Sequence, residues 1–243
     1  MSKYTFCYFA GALYNLGLWG LCYVFRKDLR RELVVMSCAA VAMGLPHEYL
    51  LWTRDWWHPP NITHTRIGVE DLLYAIATGG TLAVIYPVTL RRRLFAGPAP
   101  RAFAVAMPLI VNFVLPLLLV PLAGLHSFKA GALSTCLAIL WILIARPDLI
   151  GAALISAVLG WAVSFSSFWL IEAFVPGVVA AVWDLPKLSG IVLAGVPFED
   201  LAWYAYTAAL FGIYYKYATG ARVVNPAADM RDRDVARPSS MAR

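Results

Sequence analysis

The sequence predicts an all-α membrane protein with about seven transmembrane helices, in which a linking helix joins two parallel three-helix repeats. Two observations carry this prediction. Of the 243 residues, 61% are hydrophobic and only 14% are charged, which is far from the composition of soluble domains. In addition, a pair of adjacent acidic residues occurs twice, each time near the start of an apolar segment long enough to cross a bilayer.

Seven apolar runs approach the length of about 20 residues that a helix needs to span the hydrocarbon core. In chain order they cover residues 5–25, 33–53, 67–90, 102–124, 130–145, 149–175 and 194–215. The fifth run is the shortest of the seven. After residue 217 the composition turns polar and contains Pro, Asp and Arg, so we expect residues 218–243 to form a disordered cytosolic tail.

An internal repeat connects the two acidic pairs. When the sequence is shifted by 129 positions, seven pairs of similar residues align, among them Glu70 with Glu199, Asp71 with Asp200, Tyr74 with Trp203 and Thr78 with Thr207. Glu48 and Glu172 correspond more loosely. We therefore predict a first repeat at residues 1–95, a linking helix at 96–128 and a second repeat at 129–217. Two copies can share one orientation only when an extra crossing separates them, which explains the linking helix.

The distribution of charge predicts the orientation in the membrane. The formal net charge is +6, and fifteen of the 20 Lys and Arg residues fall in loops and a tail that share one side of the membrane. By the positive-inside rule that side is the cytosol, which places the N-terminus outside and the C-terminus inside. The basic residues orient the protein and indicate no nucleic-acid partner. The sequence indicates no particular oligomeric state.

Six carboxyl groups lie inside apolar runs that contain no lysine or arginine to pair with them: Glu48, Glu70, Asp71, Glu172, Glu199 and Asp200. A carboxylate in hydrocarbon is costly and tends to take up a proton, so an acid inside a membrane helix is a candidate functional group. The alternative is structural, because an acidic residue near a helix start also interacts favourably with the helix dipole.

Aromatic residues accompany the acidic pairs. Positions i and i+4 share a helix face, so Glu70 would stand with Tyr74 and Glu199 with Trp203. A neutral carboxylic acid in an apolar pocket can donate a proton, and an aromatic ring stabilises a nearby cation by roughly 0.5–2 kcal/mol. We expect four residues to be catalytic: Glu70, Asp71, Glu199 and Asp200. We expect four others to bind the substrate: Glu48, Tyr74, Glu172 and Trp203.

The sequence gives little support for a metal ion or a cofactor. Asp55, His58 and His64 share one loop, but their spacing matches no regular ligand pattern, and the second repeat lacks both histidines. Neither a GxGxxG sequence nor a Walker sequence occurs, so no nucleotide cofactor is indicated. We expect no metal and no cofactor.

The acidic motifs carry a resemblance to a known family. Pro197-Phe198-Glu199-Asp200 fits the Pro-x-Glu-Glu/Asp hallmark of the heterodimer-type lycopene cyclase domain family of carotenoid biosynthesis. Gly68-Val69-Glu70-Asp71 fits it except that Gly68 replaces the proline, and Thr65-Arg66-Ile67 before it also resembles the stretch that leads into the motif. Members carry the unit as two small chains or as a tandem fusion, and this chain resembles the fusion.

The resemblance implies an enzyme that converts the linear ψ-ends of lycopene to rings by adding and removing protons, without net redox. Its substrate would be a lipid-soluble polyene or isoprenoid in the bilayer. Three alternatives stay open: a membrane protein that binds a carotenoid or lipid without converting it, a related isoprenoid-modifying enzyme, and a small proton-coupled transporter. Pro46 and Pro176 disfavour the transporter, because they lie towards the outer ends of their helices and not at the midplane.

Overall fold

The computed structural model describes residues 4–57, 59–95 and 97–224. Within these ranges seven long α-helices follow one another, named here in chain order: α1 Thr5–Phe25, α2 Arg30–His47, α3 Val69–Thr89, α4 Ala102–Ala123, α5 Ser127–Ala145, α6 Ile150–Phe174 and α7 Phe198–Thr219. Each helix lies on one of the seven apolar runs. The all-α fold class that the sequence predicts is confirmed.

Short elements connect the long helices. Three of them are 3₁₀ turns, at Lys27–Leu29, Pro147–Leu149 and Leu185–Lys187. Glu48–Trp52 is a π-helix, and Thr53–Asp55 and Val178–Val182 are short α-helices. Four strands form two antiparallel pairs: β1 Arg93–Phe95 with β4 Arg222–Val224, and β2 Val192–Leu193 with β3 Val196–Pro197. Because β4 pairs with β1, ordered structure continues past residue 217, where the predicted tail begins. Residues 225–243 of that tail lie outside the described residues.

Six of the helices, α1 to α6, are long and apolar enough to cross a membrane, α2 and α6 together with the short turns beside them. The protein is therefore a multi-pass membrane protein. The sequence predicts about seven crossings, but α7 is not among these six helices. It has 22 residues, which is long enough, but its acidic pair, Lys216 and five tyrosines lower its hydropathy. Polar residues are tolerated there because α7 packs against α3, α5 and α6 inside the bundle.

The two three-helix segments share local detail. Arg26 after α1 pairs with Asp28 at 2.9 Å, and Arg146 after α5 pairs with Asp148 at 2.7 Å. A 3₁₀ turn and a second long helix follow each pair. The ion pairs are 120 positions apart, whereas the acidic pairs that begin α3 and α7 are 129 apart. Counted from the ion pairs, Glu48 therefore corresponds to Phe168 and not to Glu172. The repeat itself stays a prediction.

The central helices of the bundle are α3 and α7. α3 packs on α1 and α2, α7 packs on α5 and α6, and the two contact each other. Small residues allow the close approach: Gly79 of α3 faces Ala40 of α2, and Gly160 of α6 faces Ala208 of α7, so that a β-carbon on either glycine would collide with the facing alanine. Such small pairs let membrane helices gain dispersion contacts that lipid would otherwise provide.

Hydrogen bonds to its backbone carbonyls hold α4 against the bundle. The helix contains three prolines, each without the N–H that would bond the carbonyl four residues earlier. Pro108 frees the carbonyl of Ala104, which accepts a hydrogen bond of 3.1 Å from the Tyr217 hydroxyl. Near the second proline, His47 Nε2 donates to the carbonyl of Phe113 at 2.9 Å. Pro108 thus creates an attachment point of α4 to α7, and the His47 hydrogen bond attaches α4 to α2.

A buried ion pair joins α2 to α7. Lys216 Nζ lies 2.6 Å from Glu32 Oε1, and the two side chains are 0% and 1% exposed. Lys216 Nζ also donates to the carbonyl of Ala83 in α3 at 3.2 Å. From the sequence the apolar run of the last helix ends before Lys216, but α7 continues to Thr219 and carries this lysine inside the bundle.

We expect Lys216→Met alone to lower the free energy of unfolding by about 3–5 kcal/mol, because Glu32 would stay buried without its counter-charge. Lys216→Met combined with Glu32→Leu should recover most of the lost stability, since neither charge remains. Denaturation of the purified protein in detergent, followed by circular dichroism, measures both values. An equal loss in the single and double variants would contradict this account.

Candidate active site

A cavity lies between α2, α5 and the central helices α3 and α7, on the side of the bundle that α4 covers. It measures about 1120 Å³ including its open mouth. Most of the side chains that line it are apolar or aromatic.

Unequal packing on the two sides of the bundle leaves this space open. On one side α1 contacts α6 directly, and Asn15 Nδ2 donates to Ser167 Oγ at 3.2 Å. On the other side α2 and α5 make hardly any contact with each other. There α4 bridges the gap, and Asn112 Nδ2 of α4 donates to Thr135 Oγ1 of α5 at 2.7 Å. The cavity is the gap between α2 and α5, which α4 covers.

Three buried carboxyl groups line the cavity, those of Glu48, Asp71 and Asp200. Both oxygens of Asp71 are engaged: Oδ1 accepts a hydrogen bond of 2.5 Å from the Tyr8 hydroxyl, and Oδ2 accepts one of 2.6 Å from the backbone N–H of Gly68. By contrast, Asp200 Oδ2 and Glu48 Oε1 have no hydrogen-bond partner among the described residues. Asp200 and Glu48 are therefore the acids that a ligand in the cavity can reach.

The difference between the two aspartates has a cause in the sequence. Tyr8 in α1 and Phe128 in α5 are 120 positions apart, the same offset as the two arginine–aspartate pairs. Phe128 has no hydroxyl, so the second half offers Asp200 no equivalent of the Tyr8 contact. The indole N–H of Trp183 lies beside Asp200 but does not reach hydrogen-bonding geometry.

A π-helix brings Glu48 to the cavity. α2 ends at His47, one residue after Pro46, and Glu48–Trp52 forms the π-helical turn that follows. One extra residue in a turn shifts the following side chains by about 100° around the helix axis. Such turns occur frequently at functional sites. Both Glu48 and Trp52 line the cavity.

The glutamates of the two acidic pairs bind loop backbone instead. Glu70 Oε1 accepts a hydrogen bond of 2.5 Å from the N–H of Ile62, and Glu199 Oε1 accepts one of 2.6 Å from the N–H of Ser189. Glu70 Oε2 is buried without a partner, but neither glutamate is among the described residues that line the cavity. Each of them ties the first turn of its helix to the loop before it.

Glu172 also binds backbone N–H groups outside the cavity. Its two carboxylate oxygens accept hydrogen bonds of 2.7 Å from the N–H of Gly177 and 3.0 Å from the N–H of Val179. These groups belong to the start of the short helix Val178–Val182, where backbone N–H groups have no partner within the helix. Glu172 does not line the cavity in the described part of the chain.

The aspartates of the two acidic pairs, and not their glutamates, line the cavity together with the aromatic residues of the site. Residues at i+3, i+4 and i+7 from each aspartate line the cavity: Tyr74, Ala75 and Thr78 in α3, and Trp203, Tyr204 and Thr207 in α7. In the sequence each aromatic is also the i+4 neighbour of a glutamate, Tyr74 of Glu70 and Trp203 of Glu199. The same aromatics are three residues from the aspartates, and that spacing also puts them on one face.

An aromatic wall surrounds the two free acids. The predicted residues Tyr74 and Trp203 belong to it, and so do Trp52 and Tyr204, which are not among the site residues predicted from the sequence. The rings of Trp52 and Trp203 meet edge to face with centroids 5.7 Å apart, and the Tyr204 hydroxyl donates to the Tyr74 hydroxyl at 2.7 Å. Tyr204 could have been found as the i+4 neighbour of Asp200, whereas the position of Trp52 depends on the π-helix.

The loop considered for a metal has another structural role. The carboxylate of Asp55 accepts hydrogen bonds from the N–H of Ser127 at 2.7 Å and from its hydroxyl at 2.5 Å, at the start of α5. His58 lies outside the described residues. Across the ranges that are described, no three His, Cys, Asp or Glu side chains cluster as metal ligands do.

Comparison with known proteins gives one match. Residues 126–218 match the family model described as lycopene cyclase. The matched segment contains α5, α6 and α7, and with them Asp200 and Trp203. The resemblance seen in the sequence is confirmed over these residues, and the tandem fusion stays a prediction for the rest. No curated protein and no solved structure matches the chain.

Removing the loop-binding glutamates should affect stability. We expect Glu172→Ala and Glu199→Ala each to lower the free energy of unfolding by about 1–3 kcal/mol, because backbone N–H groups lose their acceptors. Asp200→Asn should leave it unchanged or raise it, since Asp200 Oδ2 has no partner to lose. Thermal unfolding of the three variants in detergent measures this order. A larger loss in Asp200→Asn than in the alanine variants would contradict it.

Proposed function

We propose that this protein is an intramembrane carotenoid cyclase that converts the linear ψ-ends of lycopene to rings by acid and base catalysis in the cavity. One observation carries the proposal: Asp200 and Glu48, two buried acids that each have an unpartnered oxygen, face a single cavity with an aromatic wall. The family match supports a carotenoid cyclase role. The apolar helices are consistent with a substrate that reaches the cavity from the bilayer.

The proposed reaction needs one proton donor and one proton acceptor. A proton adds to the terminal double bond of the ψ-end and leaves a carbocation. The electron pair of a second double bond then forms the carbon–carbon bond that closes the ring, and the cation moves to the ring. Loss of a different proton from a neighbouring carbon restores a double bond. The product is an isomer of the substrate, so the reaction balances without an oxidant or a reductant.

Asp200 is our preferred donor and Glu48 our preferred acceptor. Glu70 and Glu199 are also predicted from the sequence to be catalytic, but their contacts with loop N–H groups favour a structural role for both. Asp71 lines the cavity, yet both of its oxygens are already bonded. A carboxylic acid in an apolar site can stay neutral and donate a proton, while a second acid nearby accepts one.

Aromatic faces would stabilise the cation between these two steps. Each ring contributes roughly 0.5–2 kcal/mol to binding a cation, and more when water is excluded. Trp203 and Tyr74 share the helix faces of Asp200 and Asp71, and Trp52 packs against Trp203. We propose that these rings bind the ψ-end as well as the cation. In the proposed orientation the cavity lies towards the outer ends of the helices, with the N-terminus outside and the C-terminus in the cytosol.

Expression in a lycopene-accumulating cell tests the proposal. We expect the wild-type chain to form ring-containing carotenoid, and Asp200→Asn and Glu48→Gln each to reduce its formation about 100-fold or more, the contribution of a general acid or base. Glu199→Gln is the matched control, because glutamine still accepts the Ser189 hydrogen bond, and it should stay active.

Pigment analysis after extraction measures the outcome. Unchanged lycopene with the wild-type protein would contradict a lycopene cyclase. Lycopene that co-purifies with the protein but is not converted would instead support a carotenoid-binding protein. Full activity of both Asp200→Asn and Glu48→Gln would exclude these two residues as donor and acceptor.

A further inference from the structure

Arg66 occupies an unusual place for a cation at the edge of a membrane helix. It lies in the loop before α3, and no carboxylate of a described residue is within ion-pair distance of it. Its guanidinium group donates two hydrogen bonds to one hydroxyl oxygen, from Nε and Nη2 to Thr53 Oγ1, at 2.9 and 2.8 Å. The same group stacks on the ring of Tyr49 at 4.5 Å from its centroid.

Thr53 connects this arginine to the π-helix that carries Glu48. The backbone N–H of Thr53 donates to the carbonyl of Glu48, which is the bond that closes the π turn. The Thr53 hydroxyl donates to the same carbonyl oxygen at 3.0 Å. Thr53 Oγ1 therefore accepts two hydrogen bonds from Arg66 and donates one to Glu48, and its hydrogen-bonding capacity is full.

We propose that Arg66 and Thr53 are positioning residues that hold the π turn and so keep the Glu48 side chain directed into the cavity. This inference rests on the proposed function, in which Glu48 accepts a proton. Because a π-helix is less stable than the α-helix it interrupts, it persists where additional contacts hold it. The Arg66 side chain supplies such contacts, because it binds Thr53 and stacks on Tyr49, one at the end of the π turn and one within it.

The Glu48 carboxyl group also forms no ion pair with a cation in the described part of the chain. A nearby arginine would favour the ionised form of a carboxyl group. Arg66 instead donates hydrogen bonds to the hydroxyl of Thr53, which in turn donates to the backbone carbonyl of Glu48. Arg66 therefore holds the backbone of Glu48 and does not contact its carboxyl group. The turn is thereby fixed by a positive charge that does not form an ion pair with the acid in the cavity.

The experiment measures cyclisation of lycopene in membranes that contain the full chain. Thr53→Val removes the hydroxyl with little change in shape, Thr53→Ser keeps it, and Arg66→Gln removes the guanidinium group. Arg54→Gln is the matched control, since Arg54 is an exposed arginine on the same segment. Each variant is also made in a Glu48→Asp background, where a carboxyl group is kept but moved.

We expect Thr53→Val and Arg66→Gln to lower kcat about 10-fold to 100-fold, as small displacements of a catalytic group do. KM should change little, because the aromatic wall stays in place. Thr53→Ser should restore kcat, and Arg54→Gln should match the wild-type chain. In the Glu48→Asp background Thr53→Val should have a much smaller effect, since the two changes act on the same group.

Three results would overturn the inference. The first is wild-type kcat in Thr53→Val, and the second is a loss in Thr53→Ser as large as in Thr53→Val. The third is a Thr53→Val effect of full size in the Glu48→Asp background. If cyclisation in the Glu48→Asp background is too slow to measure, two other results test the inference: the rescue of kcat by Thr53→Ser and the loss of kcat without a change in KM. A wild-type chain that forms no rings would overturn the proposed function, and this inference with it.

Discussion

Leaving a buried polar group without a hydrogen-bond partner costs about 1–3 kcal/mol, and more for a charged one. Most acids in this bundle avoid that cost by binding at least one donor: Glu32 binds Lys216, Asp71 binds Tyr8, and the glutamates at the starts of α3 and α7 bind loop N–H groups. Asp200 and Glu48 keep an unpartnered oxygen beside the cavity. Glu32 Oε2 and Glu70 Oε2 also lack a partner among the described residues, but neither residue lines the cavity, so Asp200 and Glu48 are distinguished by their place beside it.

The two halves of the bundle resemble each other in outline and differ where chemistry is proposed. Tyr8 in the first half satisfies Asp71, while Phe128 at the same offset leaves Asp200 free. Glu48 faces the cavity from the first half, and Phe168 stands at the corresponding offset in the second. The packing of the two halves against each other also differs from side to side. α1 contacts α6 directly, whereas α2 and α5 are separated beneath α4. One cavity thus receives one free acid from each half.

Apolar runs of membrane-spanning length were enough to predict the seven long helices, and the recurring acidic motif was enough to predict which family model residues 126–218 match. The site was predicted only in part. Asp71, Asp200, Glu48, Tyr74 and Trp203 do line one cavity, but Glu70, Glu172 and Glu199 bind loops. Adjacent residues of a helix point about 100° apart, and in each acidic pair the aspartate turns to the cavity while the glutamate turns to the loop before the helix. Partners distant in sequence, such as Tyr8 for Asp71 and Lys216 for Glu32, arise only from tertiary packing.

The central claim is that the cavity adds one proton to each ψ-end and removes another. The most direct test is the mass of the ring-containing product formed from lycopene by membranes of the wild-type chain in heavy water. We predict one solvent-derived deuterium per ring formed, retained after the product returns to ordinary water, and no other change in composition. A ring product without deuterium, or one that has lost hydrogen relative to lycopene, would contradict the account.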